Sequence, residues 1–354
     1  MQERYINCLK KELEQKLKEL KEIFDITTIY IGGGTPSFID SKYIKEVLQL
    51  INTVDKFNDI QPTDTEITIE VNPGTVTEQK LLDYREAGIN RLSIGLQSTN
   101  NRLLKEIGRI HTYEHFLDTY NLARKVGFTN INIDLMLGLP EQKINDLKDS
   151  LNKVIDLNPE HISVYSLILE EGTRLYDLVK RGQVKLPDEE LERQMYWYVK
   201  NTLELNGYKH YEISNFAKVG YESKHNMNCW KQKEYIGVGL NASSYFDSVR
   251  YSNIADLNEY LKNIEAGEFD KNRIIEEVQD DEAKQKEFMI LGLRMIDGVS
   301  IQEFKNKFVQ NPLYVFRKEL DNLTKEGRLK VDINKIKLTN KGLDFANQVW
   351  REFI

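Results

Sequence analysis

The sequence predicts an α/β fold: an incomplete parallel (β/α) barrel, then a C-terminal α+β domain that ends in a winged-helix-like unit. Three observations predict it. Five short apolar runs start roughly 25–40 residues apart, the size of one βα unit, with amphipathic stretches between them. Each run ends in glycine or polar residues, as strands do at the mouth of a parallel barrel. After about Arg181 the alternation stops, and aromatic helices and short strands take over. A doubly wound open sheet is the alternative arrangement of the same five units.

The chain opens inside a helix. Ile6, Leu9, Leu13, Leu17, Leu20 and Ile23 recur at three- and four-residue steps, with no capping residue ahead of them. A helix before the first strand predicts a further strand upstream. Thr27–Ile31 is the first strand present, and Gly32-Gly33-Gly34-Thr35-Pro36 follows it. These glycines allow positive φ and close backbone approach to a ligand. Helix Ser41–Ile51, strand Thr65–Val71 and helix Glu78–Glu86 come next. Strand Arg91–Leu96 leads to helical pieces at Asn101–Ile107 and Tyr113–Val126. Strand Asn130–Leu135, helix Asn145–Ile155 and strand His161–Leu167 complete the repeat. Three regions are expected: a partial barrel over 1–180, an intermediate segment over 181–279 and a winged-helix-like domain over 280–354. In the second, Tyr221–Tyr245 reads as short strands and tight turns. In the third, a single helix is expected over Pro312–Glu326.

Composition narrows the function. With 354 residues and a net charge of -7, the chain has core enough for several domains and the wrong charge for general nucleic-acid binding. No apolar run reaches the ~18 residues of a membrane span, so an integral membrane protein is not expected. Two cysteines, Cys8 and Cys229, exclude a disulfide scaffold, fit a reducing cytoplasm and leave no set of three for a metal cluster.

Ligands of parallel α/β folds sit at the C-terminal strand ends. Those ends deliver Gly33, Gly34 and Thr35, then Glu70 and Asn72, then Gln97 and Ser98, then Asp134, then Tyr165 and Ser166. Glu70 and Asp134 close apolar strands, where an unpaired carboxylate is costly. Either one alone also suits a helix cap or an ion pair. Together with the glycine turn they suit a ligand bearing an amine, ribose hydroxyls and a carboxylate. Arg109 offers a positive partner, or a surface salt bridge. A second constellation, His225-Asn226-Met227-Asn228-Cys229-Trp230, lies among Tyr211, Phe216, Tyr221, Tyr235 and Tyr245. Histidine and cysteine are haem-iron ligands and aromatics pack a flat macrocycle. A buried structural histidine beside a core tryptophan explains the same residues.

These motifs, in this order, resemble the radical S-adenosylmethionine (SAM) proteins related to oxygen-independent coproporphyrinogen III oxidase. The resemblance runs along essentially the whole chain through Gly32-Gly-Gly-Thr-Pro-Ser, Ile69-Glu-Val-Asn-Pro, Ile94-Gly-Leu-Gln-Ser, Gly108-Arg-Ile-His, Ile133-Asp-Leu-Met-Leu-Gly-Leu-Pro and Ser163-Val-Tyr. His225-Asn-x-x-x-Trp followed by Tyr235-x-Gly-x-Gly is similar to the haem-chaperone branch rather than to the oxidases. The resemblance implies a barrel of radical SAM type. It implies SAM contacts at Gly33, Gly34, Thr35, Glu70, Gln97, Arg109 and Asp134, and haem at His225, a possible iron ligand. Haem would pass to an acceptor protein. It also implies a [4Fe–4S] cluster on Cys-x3-Cys-x2-Cys, a motif this sequence lacks, so reductive SAM cleavage is not expected of the chain as written. Where the family has tyrosine in His-Asn-x-x-Tyr-Trp, this chain has Cys229. Decarboxylation of coproporphyrinogen and a degenerate SAM-binding module are the alternative functions.

Overall fold

The computed structural model describes residues 1–20, 26–52 and 65–354; Ile23 lies outside the described residues. The chain divides into two compact units. One comprises the N-terminal helix, a piece around 46–52 and residues 223–354; the other comprises 27–45 and 65–222.

The second unit holds the expected parallel strands. β1 (Thr28–Ile31), β2 (Glu66–Val71), β3 (Arg91–Gln97), β4 (Ile131–Leu137) and β5 (His161–Ser166) pair in sequence, all parallel. The sheet does not stop there. β6 (Lys209–Glu212) and β7 (Asn215–Ala217) form a hairpin whose β7 pairs antiparallel with β5, giving the order 1-2-3-4-5-7-6. The boundary expected near 180 therefore falls inside one hydrogen-bonded sheet, which continues to Ala217. Capping residues start the intervening helices: Thr77 Oγ1 accepts from Lys80 N, Asn100 Oδ1 from Arg102 N and Asp188 Oδ1 from Leu191 N.

The strands alternate strictly. Ile69, Val71, Leu92, Ile94, Leu96, Ile131, Ile133, Leu135, Ile162 and Val164 form one buried apolar face. The opposite face carries Thr68, Glu70, Ser93, Asn132, Asp134, His161 and Ser163. Residues two apart share a face. In a curled sheet with helices outside, the apolar set packs on the helices and the polar set lines the lumen. Unit, strand order and lining are those of a parallel half-barrel.

In the first unit, the helix Gln2–Leu20 buries Cys8 against Tyr260, Leu261 and Ile264. Its Glu12, 3% exposed, accepts from Gly239 N (2.9 Å), Asn253 Nδ2 (2.7 Å) and Tyr260 Oη (2.6 Å). β8 (Ser243–Phe246), β9 (Val249–Asn253) and β10 (Arg273–Val278) make a three-stranded antiparallel sheet. The C-terminal end joins β11 (Val299–Ser300), β12 (Leu329–Val331) and β13 (Lys335–Leu338) into a small sheet beside helices, as a winged helix does. Two expectations are corrected. The helix over 312–326 breaks into Pro312–Val315 and Arg317–Lys325, because Phe316 leaves helical geometry to bury its ring against Phe304 and Phe353. The His225 segment, read as strands and turns, is a helix, Lys224–Trp230, started by Ser223, whose Oγ accepts from Asn226 N. Among the described residues, no helix is long and apolar enough to cross a membrane.

Candidate functional site

The turn after β1 and the end of β2 build the first part of the site. Gly33 and Gly34 have φ of 82° and 69°, left-handed values that favour glycine, and an added Cβ at either meets open space. The glycine needed for close approach is Gly32, where a Cβ would lie 2.7 Å from the Tyr30 ring and 2.9 Å from Glu70 Oε1. Glu70 is held from two sides: Tyr30 Oη donates to Oε1 (2.9 Å) and Gly33 N to Oε2 (3.2 Å). The Gly33 amide is thus taken by Glu70 in this structure. Burial pushes the Glu70 carboxyl above its usual range, the two hydrogen bonds oppose that, and the charge of Asp134 adds to it.

Thr35 and Gln97 join the site through Asn72. Asn72 Nδ2 donates to Thr35 Oγ1 (2.8 Å). Gln97, 8% exposed and at φ 70°, lays its amide over Gly95, where a Cβ would meet Gln97 Nε2 at 3.1 Å and Asn72 Oδ1 at 3.3 Å.

Asp134 sits one strand further on, partly exposed on the lumen side. Asn132 Nδ2 donates to its Oδ1 (2.7 Å) and Ser93 Oγ to its Oδ2 (3.3 Å). Burial raises its pKa; the hydrogen bonds and the charge of Arg91, 2% exposed, pull it down. Burial lowers the pKa of the Arg109 guanidinium, and the charge of Asp134 opposes that. The structure therefore brings Gly33, Thr35, Glu70, Gln97 and Asp134 to one end of one sheet, while Arg109 follows the helix Asn101–Glu106. Sequence reasoning stopped at strand ends and missed the layer beneath, Tyr30, Ser93, Asn132 and His161, and it grouped Tyr211 with His225, whereas its hydroxyl lies on His161. Strict apolar–polar alternation along Ile131–Leu135 and His161–Tyr165 was the available signal.

His225 belongs to the other unit. It lies half-buried on the helix Lys224–Trp230, with Cys229 four residues on and so on the same helix face. Burial raises the Cys229 thiol, opposed by Arg250. The Trp230 ring is covered by the Arg294 guanidinium, 4.2 Å from the centroid, and Arg294 also lies 4.9 Å from Trp350.

These residues fit two groups differently. Two carboxylates, a guanidinium and a glycine turn fit a ligand with a cationic amine, hydroxyls and a carboxylate. They do not fit an iron–sulfur cluster. Cys8 is buried with its Sγ toward Leu261 O, Cys229 is alone on its helix, and no group of three metal-binding side chains occurs among the described residues.

Comparison with known proteins places this geometry. The Radical SAM superfamily pattern matches residues 3–154, and the HemN C-terminal domain matches 279–345. The heme chaperone HemW of Lactococcus lactis is 37% identical over 97% of this chain and 89% of its own length. That of Bacillus subtilis is 36% identical over 99% and 91%. The solved structure of Escherichia coli coproporphyrinogen III oxidase (HemN) superposes with a TM-score of 0.81 at 22% identity, covering 99% of this chain and 82% of that one, a likeness of fold. On identity and coverage together, the chain belongs to the family of the heme chaperone HemW, within the radical SAM superfamily.

Proposed function

We propose that this protein binds haem and hands it to an acceptor protein, and that its half-barrel holds SAM. The observation that carries the reading is the near full-length match to proteins named heme chaperone, which spans both units. The geometry supports each part. In the half-barrel, Glu70 and Asp134 would receive the amine and ribose hydroxyls of SAM, Arg109 its carboxylate, and the turn at Gly33, Gly34 and Thr35 would let it approach the backbone. SAM bound there would supply a sulfonium and an adenosyl group; Glu70 and Asp134 orient it through hydrogen bonds. In the other unit His225 is the candidate haem-iron ligand. Cys229, four residues on along the same helix face, is not assigned to the iron in this reading. The net charge of -7 fits a protein without a nucleic-acid partner, and a cytoplasmic location goes with the same reading.

Hand-over has a kinetic signature. Haem passing directly to an apo-acceptor leaves at a rate that rises with acceptor concentration, whereas passive release does not. The test mixes haem-loaded protein with increasing apo-acceptor and follows the absorption change. A concentration-dependent rate is expected, and a flat rate overturns the hand-over. A second arm incubates the protein with coproporphyrinogen III, SAM and a reductant; decarboxylation would favour the oxidase reading.

A further inference from the structure

The lumen of the half-barrel contains a hydrogen-bonded chain behind Asp134 whose other members no part of the proposed function uses. Tyr211 Oη lies 2.8 Å from His161 Nε2. His161 Nδ1 lies 2.6 Å from Asn132 Oδ1, and Asn132 Nδ2 lies 2.7 Å from Asp134 Oδ1. His161 is fully buried, Asn132 2% exposed and Tyr211 5%. The chain crosses from β6 through β5 to β4.

Its polarity is forced from one end. An ionised carboxylate only accepts, so the Asn132 amide nitrogen must face Asp134. The same nitrogen donates to Ser93 Oγ (2.8 Å), whose own proton goes to Asp134 Oδ2 (3.3 Å), so that orientation is fixed twice. Asn132 Oδ1 then faces His161 and also accepts from Ser163 Oγ (3.1 Å). An acceptor opposite Nδ1 requires the proton on Nδ1. His161 Nε2 is left with a lone pair, which the Tyr211 hydroxyl must fill by donating. Burial keeps the imidazole neutral, as this pattern requires.

We propose that Asn132, His161 and Tyr211 are positioning residues that lock the Asp134 carboxylate, ionised and correctly turned, toward a cationic ligand in the lumen. The proposal rests on reading Asp134 as a SAM contact. The distant member makes it testable. Without the Tyr211 hydroxyl, the buried Nε2 lone pair has no donor, while Nδ1–H still donates to Asn132, so the tautomer is kept and the imidazole loses one of its two anchors. The loosened ring holds Asn132, and through it Asp134, less firmly. A hydroxyl three side chains away thereby weakens the ligand site.

The experiment uses the full chain. Proton–nitrogen correlation spectra identify the His161 tautomer, by comparison with His161→Gln, and calorimetry measures SAM affinity. The parent should show the Nδ1–H form. Tyr211→Phe should keep the Nδ1–H form and weaken SAM by up to about tenfold, the size of one charge-assisted hydrogen bond. In an Asp134→Asn background, Tyr211→Phe should have little further effect on affinity. An Nε2–H tautomer in the parent overturns the proposal, and that measurement stands even where Tyr211→Phe does not fold. Unchanged SAM affinity in Tyr211→Phe, with Asp134→Asn impaired, also overturns it while leaving the SAM reading intact. Unchanged affinity in both variants removes the SAM reading itself and the proposal with it.

Discussion

Replacing Tyr30 with phenylalanine removes one atom from the site, and its effect can be worked out in advance. The phenol donates to Glu70 Oε1 at 2.9 Å, and Gly33 N is the other donor to this carboxylate among the described residues. A hydrogen bond to a charged group contributes about 1.5–3 kcal/mol, a neutral one about 0.5–1.5 kcal/mol. Burial holds the Glu70 pKa above its ordinary value, so stability linked to this group is fully present below that ordinary value. It is lost as pH rises through the raised folded value. The phenol opposes the rise; without it the folded pKa climbs further from the unfolded one. Tyr30→Phe should therefore lose about 1.5–3 kcal/mol at neutral pH and less than about 1.5 kcal/mol in acid, where Glu70 is protonated. Urea denaturation of parent and variant at pH 7.5 and near pH 4 reads both differences. An equal loss at the two pH values, or none at neutral pH, refutes the assignment of Tyr30 as the support of an ionised Glu70.

Five further substitutions separate site from scaffold. Glu70→Ala and Asp134→Ala should each weaken SAM by about 1–3 kcal/mol, measured by calorimetry, through loss of a charge-assisted hydrogen bond. Gly32→Ala should impair SAM binding by displacing Glu70, since its Cβ would lie 2.9 Å from Oε1; Gly33→Ala should instead cost about 1 kcal/mol of stability through its positive φ, with open space around the methyl. Glu12→Ala strands three buried donors, Gly239 N, Asn253 Nδ2 and Tyr260 Oη, and should lower unfolding stability by about 3 kcal/mol or more with SAM affinity unchanged.

Much of the half-barrel was legible because its strands announce themselves as β-branched and aliphatic runs that end in glycine or polar residues. The strand ends were legible for the same reason, so Glu70, Gln97 and Asp134 emerged from the sequence. What stayed hidden depends on tertiary pairing. β6 and β7 are short and polar, Lys-His-Tyr-Glu and Asn-Phe-Ala, and become strands because β5 offers an open edge. Tyr211 reaches His161 only through that pairing. The helix at Lys224 was masked by Asn226, Asn228 and Cys229, poor helix formers; the Ser223 cap was its one local sign. The roles of Gly32 and Gly33 separated only when backbone angles and the Glu70 contact were known.

The central claim is that haem is held through His225. Equilibrium titration of haem into the parent and His225→Ala, followed by the haem absorption band, tests it most directly. The account predicts saturable binding by the parent, loss or displacement of the band in His225→Ala, and an unchanged band in Cys229→Tyr. A His225→Ala protein that takes up haem with the parent's affinity and spectrum would contradict it.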